Sequence, residues 1–245
     1  MSDFCRIALD AMGGDNAPSE IVKGAIEALS LDSSIYIYLV GKTDSINVEL
    51  AKYTYDKTRV EIVEAPEVIE TGDPPVLSVR RKKESSLVKA MYLVKNGEAD
   101  AFISAGSSGA IIVGGQTIIG RIPGVERPPM APLIPTSKGV SLLVDSGGNV
   151  DARPSFLVQW AKMGSIYMRD IIGIKNPKVA IVNIGLEEEK GNNLVKETYP
   201  LLKECSDINF IGSIEAREIP KGYADVIVCD AFVGNVILKL YEGTA

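Results

Sequence analysis

IYIYLV at residues 35–40 and VAIVNI at residues 179–184 decide the fold class. Both are short, almost uninterrupted runs of strand-forming apolar residues. Such strands are buried on both faces, as in a mostly parallel sheet covered by helices. Working outward, β-rich runs recur at residues 4–9, 60–63, 101–104, 141–144 and 226–229, each leading into a helix-like stretch. Residues 18–29 read as a helix with proline in its first turn, and residues 84–95 and 155–172 carry helical apolar spacing. Strands alternating with helices predict an α/β, doubly wound architecture, taken as one domain over residues 1–245. The proline-dense segment GRIPGVERPPMAPLIPT, residues 120–136, reads as a long ordered connection and a candidate lobe boundary.

The chain has 245 residues, 46% hydrophobic and 24% charged, ample for a continuous core. No uncharged apolar run is long enough to span a bilayer. The N-terminus passes straight to Arg6 and Asp10 without a signal-peptide core, so a cytoplasmic protein is expected. A net charge of −6 weighs against nucleic acid as the main partner. Cys5, Cys205 and Cys229 lack CxxC spacing, which points to neither a disulfide framework nor a zinc site. Cys5 and Cys229 lie in apolar runs and are expected to be small core residues. Histidine is absent, which excludes Ser–His and Cys–His triads. Chemistry is left to an already ionised nucleophile, a lysine, a carboxylate or backbone dipoles.

In doubly wound sheets ligands gather where strands end and loops lead into helix N-termini. Five such loops are rich in glycine and small polar residues: DAMGGDN (10–16), AGSSGA (105–110), DSGGNVDAR (145–153), GLEEEKGNN (185–193) and DAFVGN (230–235). Set on one sheet edge they would form a cleft, with Asp10, Gly13, Gly14, Asp15, Gly106, Ser107, Ser108, Gly109, Asn149 and Asp230 as candidate phosphate or substrate contacts. AGSSGA reads equally as a tight strand-to-helix turn. Ser107 lacks both a histidine partner and a GxSxG elbow.

Lys190 is either part of a solvated charged loop with Glu187, Glu188 and Glu189 or a cation reaching into the cleft. Asn235 is either a helix N-cap or an amide that orients a carbonyl or phosphate oxygen. Asp145 and Asp230 end buried strands and are placed to hold the loops by accepting backbone hydrogen bonds; no motif marks a metal there. Arg80, Arg81, Lys82 and Lys83 precede a helix expected near Glu84 and form either an exposed turn or an anion dock. Gly41-Lys42-Thr43 is not a P-loop, because the first glycine of that motif would fall on Tyr36, and no GxGxxG follows the first strand.

Taken in order, DAMGGD with the following AP, VRRKKESS, ISAGSSGA, RPPMAPLIPT, DSGGNVDARP, LVQWAKMGS, EEEKGN, NFIGSIEAR and DAFVGN resemble the bacterial phosphate acyltransferases of phospholipid synthesis, from Ile7 to the last residue. The resemblance implies a fold like those of isopropylmalate dehydrogenase and phosphotransacetylase. It implies transfer of a fatty acyl group from acyl-acyl carrier protein to inorganic phosphate, with no cofactor and no metal. The family's catalytic lysine and asparagine fall on Lys190 and Asn235. For Arg80, Arg81, Lys82 and Lys83 the candidate partners stay open: an acidic carrier protein, an anionic lipid surface or substrate phosphate. A homodimer and a peripheral membrane contact are also implied, the latter through family sequence that continues past Ala245. Asn16 stands where histidine is common in that family, so a histidine there is not essential to the reaction. Two other readings remain: an acyl-CoA-dependent phosphotransacetylase, and a non-catalytic module that binds a carrier protein or an anion.

Overall fold

The structure, a computed structural model, describes residues 4–244. It divides into two compact units, Met1–Arg121 and Ile122–Ala245. The boundary falls at the start of the proline-dense segment.

The first unit runs β1 (Cys5–Asp10), α1 (Ser19–Leu31), β2 (Ile35–Gly41), α2 (Thr43–Leu50), β3 (Val60–Glu64), α3 (Pro75–Arg81), α4 (Ser86–Lys95), β4 (Ala101–Ile103) and α5 (Ser108–Gly114). Its sheet has the order β3-β2-β1-β4 and every pairing is parallel. Strand β2 shows why IYIYLV is apolar throughout. Ile37 and Leu39 pack under α1 and α2 with Val22, Ala25, Ile26, Leu29 and Ile46, while Val40 faces Ala8 and Ala90 of the opposite layer. Helices α4 and α5 meet in that opposite layer through Val88, Met91 and Ala110.

The second unit runs β5 (Leu133–Thr136), β6 (Gly139–Val144), α6 (Pro154–Asp170), β7 (Lys178–Val182), α7 (Asn193–Glu204), β8 (Asn209–Ile214), β9 (Val226–Val228) and α8 (Ala231–Thr244). Its sheet order is β5-β6-β9-β7-β8, parallel except for the antiparallel edge strand β5. Burial alternates with period two, as strand geometry requires. Leu142, Val144, Val179, Ile181, Val226 and Val228 face α6 and α7, whereas Leu143, Ala180 and Ile227 face Ile219 and α8. Gly164 lets α6 lie close on β9, since a Cβ there would stand 2.6 Å from Val226 Cγ1.

Several sequence expectations need correction. The connection at residues 120–136 ends in a strand, β5, which tolerates Pro135 because it is an edge. The helix expected from Glu84 begins at Ser86, and a separate helix, α3, ends at Arg81. Cys5 is exposed at the open start of β1, while Cys229 is buried as expected. Burial, with Asp230 and Asp145 adding to it, pushes the Cys229 thiol well above its ordinary range and leaves it inert.

Candidate functional site

Each unit has its own switch point, where helices following neighbouring strands leave to opposite faces. In the first unit α1 follows β1 on one face and α5 follows the adjacent β4 on the other. In the second, α6 and α7 follow β6 and β7 on one face, and α8 follows β9, the strand between them, on the other. Ligand sites of open α/β sheets form in the crevice at the carboxyl ends there. The five loops predicted to share one sheet edge are therefore divided. DAMGGDN and AGSSGA crown β1 and β4; DSGGNVDAR, DAFVGN and GLEEEKGNN crown β6, β9 and β7.

In the first unit the two loops are bound tightly together. Asp10 is buried. Its Oδ1 accepts from the Met12 N–H at 3.2 Å and its Oδ2 from the Ser104 hydroxyl at 2.7 Å; Ser104 Oγ in turn accepts from the Gly106 N–H at 3.0 Å. Gly13 is required at the crossing, because a Cβ there would stand 2.7 Å from Asp10 Oδ2 and 2.8 Å from Gly106 N. Gly14 turns with φ +100°, a conformation that favours glycine. Asp10 thus shapes the turn from inside, while Asp15 is exposed on it. Ser107 is buried and caps α5 by accepting from the Ala110 N–H at 3.4 Å; Ser108 is exposed beside it. Gly109 packs under Pro75, where a Cβ would meet Pro75 Cγ at 2.7 Å.

In the second unit Asp145 is the hub. Its side chain is 0% exposed, and Oδ1 accepts from the N–H groups of Met130 (2.9 Å), Gly147 (3.2 Å) and Gly148 (3.0 Å). Its Oδ2 accepts from Asn149 Nδ2 at 2.8 Å, and the same amide donates to the Pro128 carbonyl at 3.1 Å. Asp145 therefore holds its loop, as expected, and Asn149 joins that scaffold. The proline-dense segment is tied to the same place, with Trp160 Nε1 donating to the Arg127 carbonyl at 2.8 Å.

Asp230 Oδ1 accepts from the Val233 N–H at 3.0 Å and so caps α8. The capping role offered as one reading of Asn235 belongs to Asp230, and Asn235 lies within α8, exposed. Its Oδ1 is 4.0 Å from where a Gly147 Cβ would be, which sets the amide beside the DSGGN loop. Gly234 makes this possible, since a Cβ there would collide with the Asp145 carbonyl oxygen at 1.8 Å.

Lys190 is exposed, and its stem lies over Gly185, where a Cβ would be 3.4 Å from Lys190 Cγ and 2.7 Å from Glu187 Oε2. Glu187, Glu188 and Glu189 are exposed, Glu188 pairing with Lys203 at 2.6 Å. Sequence reasoning missed Asn183. This buried amide donates from Nδ2 to the Lys190 carbonyl at 3.2 Å and to Ser213 Oγ at 3.1 Å, and its Oδ1 accepts from the Ile184 N–H at 2.8 Å. The available signal was a polar residue inside the otherwise apolar VAIVNI run.

The basic cluster separates into two parts. Lys82 Nζ donates to the Val68 carbonyl at 2.8 Å and pairs with Asp73 at 2.5 Å, which draws it into the scaffold and corrects its assignment as a docking residue. Arg80, Arg81 and Lys83 are exposed around the end of α3, where cations also complement the helix dipole. Among the described residues no group of three or more Cys, Asp or Glu is placed to hold a metal ion.

Comparison with known proteins adds the following. The profile of the family described as "Fatty acid synthesis protein" matches residues 5–245. The phosphate acyltransferase of Clostridium perfringens (strain SM101) is 53% identical over 98% of this chain and 71% of its own length. That of Alkaliphilus oremlandii is 55% identical over the same shares. Among solved structures, the EutD phosphotransacetylase from Staphylococcus aureus is similar with a TM-score of 0.71 at 20% identity, over 99% of this chain and 83% of that one. A 4-hydroxythreonine-4-phosphate dehydrogenase from Burkholderia phymatum is similar with a TM-score of 0.54 at 14% identity, over 97% and 83%. These two likenesses concern the fold alone.

Proposed function

The chain belongs to the bacterial phosphate acyltransferase family of fatty acid synthesis proteins, and on that premise we propose that it moves a fatty acyl group from acyl-acyl carrier protein to inorganic phosphate, with Lys190 and Asn235 as the catalytic residues. Acyl transfer to phosphate in lipid synthesis is what the membership carries; the carrier-protein donor and the residue roles are our reading. The observation that carries the roles is placement. Lys190 stands on the loop that leaves β7, and Asn235 on the first turns of α8, which follows the adjacent strand β9, at the switch point of the second sheet.

The chemistry suits a chain with no histidine. Phosphate arrives ionised, and one of its oxygens attacks the thioester carbonyl carbon. The C–O bond forms, the tetrahedral oxyanion collapses, the C–S bond breaks, and the thiolate leaves to take a proton from solvent. No protein nucleophile is needed. The difficulty is bringing an anion to a carbonyl that itself becomes anionic. The Lys190 ammonium offsets that repulsion, and Asn235 Nδ2 donates to the oxyanion. Asn183 holds the Lys190 loop and Asp145 holds the DSGGN loop beside Asn235, which limits the reorganisation needed in the transition state.

A carrier protein of acidic surface fits Arg80, Arg81 and Lys83, the exposed part of the basic cluster. Among the described residues no helix is long and apolar enough to cross a membrane. The homodimer and the peripheral membrane contact rest on the resemblance alone.

Lys190→Ala is expected to lower kcat/KM for phosphate-dependent acyl-phosphate formation about 10²–10³-fold, the usual effect of losing one such group. Acyl phosphate trapped as hydroxamate gives the rate. A folded Lys190→Ala protein with near-normal turnover overturns the assignment.

A further inference from the structure

A cavity of about 270 Å³ opens at the carboxyl ends of β7 and β9. Its walls are Leu157 of α6, Ile181 and Val182 of β7, Leu194 and Val195 of α7, and Val233 of α8, with Ala216 at the rim. Three polar side chains border it, and each is already engaged. Asn183 holds the Lys190 backbone, Asn192 caps α7 by accepting from the Val195 N–H at 2.9 Å, and Asp230 caps α8. Among the described residues that line it there is no Lys or Arg, and Asp230 is negative. An anionic occupant is therefore disfavoured and an apolar one favoured.

The mouth carries the same message. Ile184, on the cavity wall, is 79% exposed, and Leu186 two residues on is 62% exposed. Two large aliphatic side chains held in water beside an apolar hollow are what an apolar ligand would cover. Gly191, next to Lys190, forms part of the wall, and Val233 lies two residues before Asn235. A chain lying in the cavity thus has its head among the groups assigned to the reaction. The volume sits just under the roughly 300–1,000 Å³ of most small-molecule sites, which suits a single unbranched chain.

We infer that this cavity receives the alkyl chain of the transferred acyl group. The inference rests on the function proposed above and adds where the acyl chain lies.

Ala216 is exposed and has no polar side-chain atom, so Ala216→Phe fills the cavity from its rim without removing a hydrogen bond. The direct test is binding of cis-parinaric acid followed by fluorescence, with decanoate as competitor. The wild type is expected to bind the probe and release it to decanoate, and Ala216→Phe to bind at least about tenfold more weakly. In turnover, Ala216→Phe should raise KM for decanoyl-carrier protein about tenfold while KM for phosphate stays within about twofold.

Absence of probe binding to the wild type, or equal binding by a folded Ala216→Phe protein, overturns the inference. Probe binding that Ala216→Phe abolishes, in a protein that forms no acyl phosphate, keeps the cavity assignment and overturns the reaction.

Discussion

At the scale of single residues, the loop that carries Lys190 depends on a buried amide beneath it. Asn183 fixes the Lys190 carbonyl from below, and a Cβ on Gly191 (φ +102°) would fall 2.5 Å from its Oδ1. Replacing it frees the loop that carries Lys190, the proposed catalytic cation. Asn183→Ala is expected to lower kcat about tenfold with a smaller change in KM for the acyl donor, and to cost about 1–3 kcal/mol of stability from the unpaired groups left behind. Steady-state kinetics and urea unfolding of the same preparation check both.

A second residue-scale prediction concerns Asp100 at the start of the first sheet. The Arg6 guanidinium donates to both carboxylate oxygens, at 3.1 and 2.8 Å, and the Arg6 N–H adds a third bond at 2.9 Å. Hydrogen bonding from Arg6, first through its side chain and then through its backbone, lowers the carboxyl to about 2. A carboxyl depressed in the folded state stabilises the protein above its ordinary range near about 4, and that contribution disappears as pH falls toward its folded value. Urea midpoints should therefore drop between about pH 4 and pH 2, and the drop should be shallower in Asp100→Asn.

At the scale of elements, the close seating of α8 on the end of β6 is what sets Asn235 beside the DSGGN loop. Gly234 makes that contact, with its missing Cβ 1.8 Å from the Asp145 carbonyl. Gly234→Ala should push α8 off the loop, cost about 3 kcal/mol or more, and reduce activity together with stability. Thermal melting and turnover measured side by side test this; a folded, fully active Gly234→Ala protein would contradict the packing. Helix α6 uses the same device at Gly164 against Val226, but on the sheet face rather than at the site.

At the scale of the whole molecule, each unit has its own parallel sheet, its own helical cover and its own switch point. The boundary after Arg121 lies in exposed chain without regular structure, and from Gly124 onward the segment is fastened to Gln159, Trp160, Asn149 and Asp145. Brief digestion with trypsin is expected to cut first after Arg121 and leave two fragments that retain far-UV circular dichroism. Mass spectrometry of the early products identifies the bond.

Much of this was legible in the sequence because it is local. The all-apolar runs at residues 35–40 and 179–184 reported strands covered on both faces, and glycine-rich turns after them reported loops at the carboxyl ends. The absence of histidine narrowed the chemistry before any coordinate was known. What the sequence left open depends on pairings between residues far apart. Asp10 and Ser104 are 94 positions distant, and only the adjacency of β1 and β4 turns the carboxylate inward to shape a turn. Lys82 looks like its basic neighbours until Asp73 and Val68 draw it into the scaffold. Asn235 reads as a cap in DAFVGN until the start of α8 gives that role to Asp230. By itself the sequence determined the α/β class, the loops and the kind of chemistry, because periodicity, turn preference and composition are properties of neighbouring residues. The tertiary structure decided that there are two sheets, which polar groups are spent inside and which stay exposed, because hydrogen-bond partners are chosen by strand order.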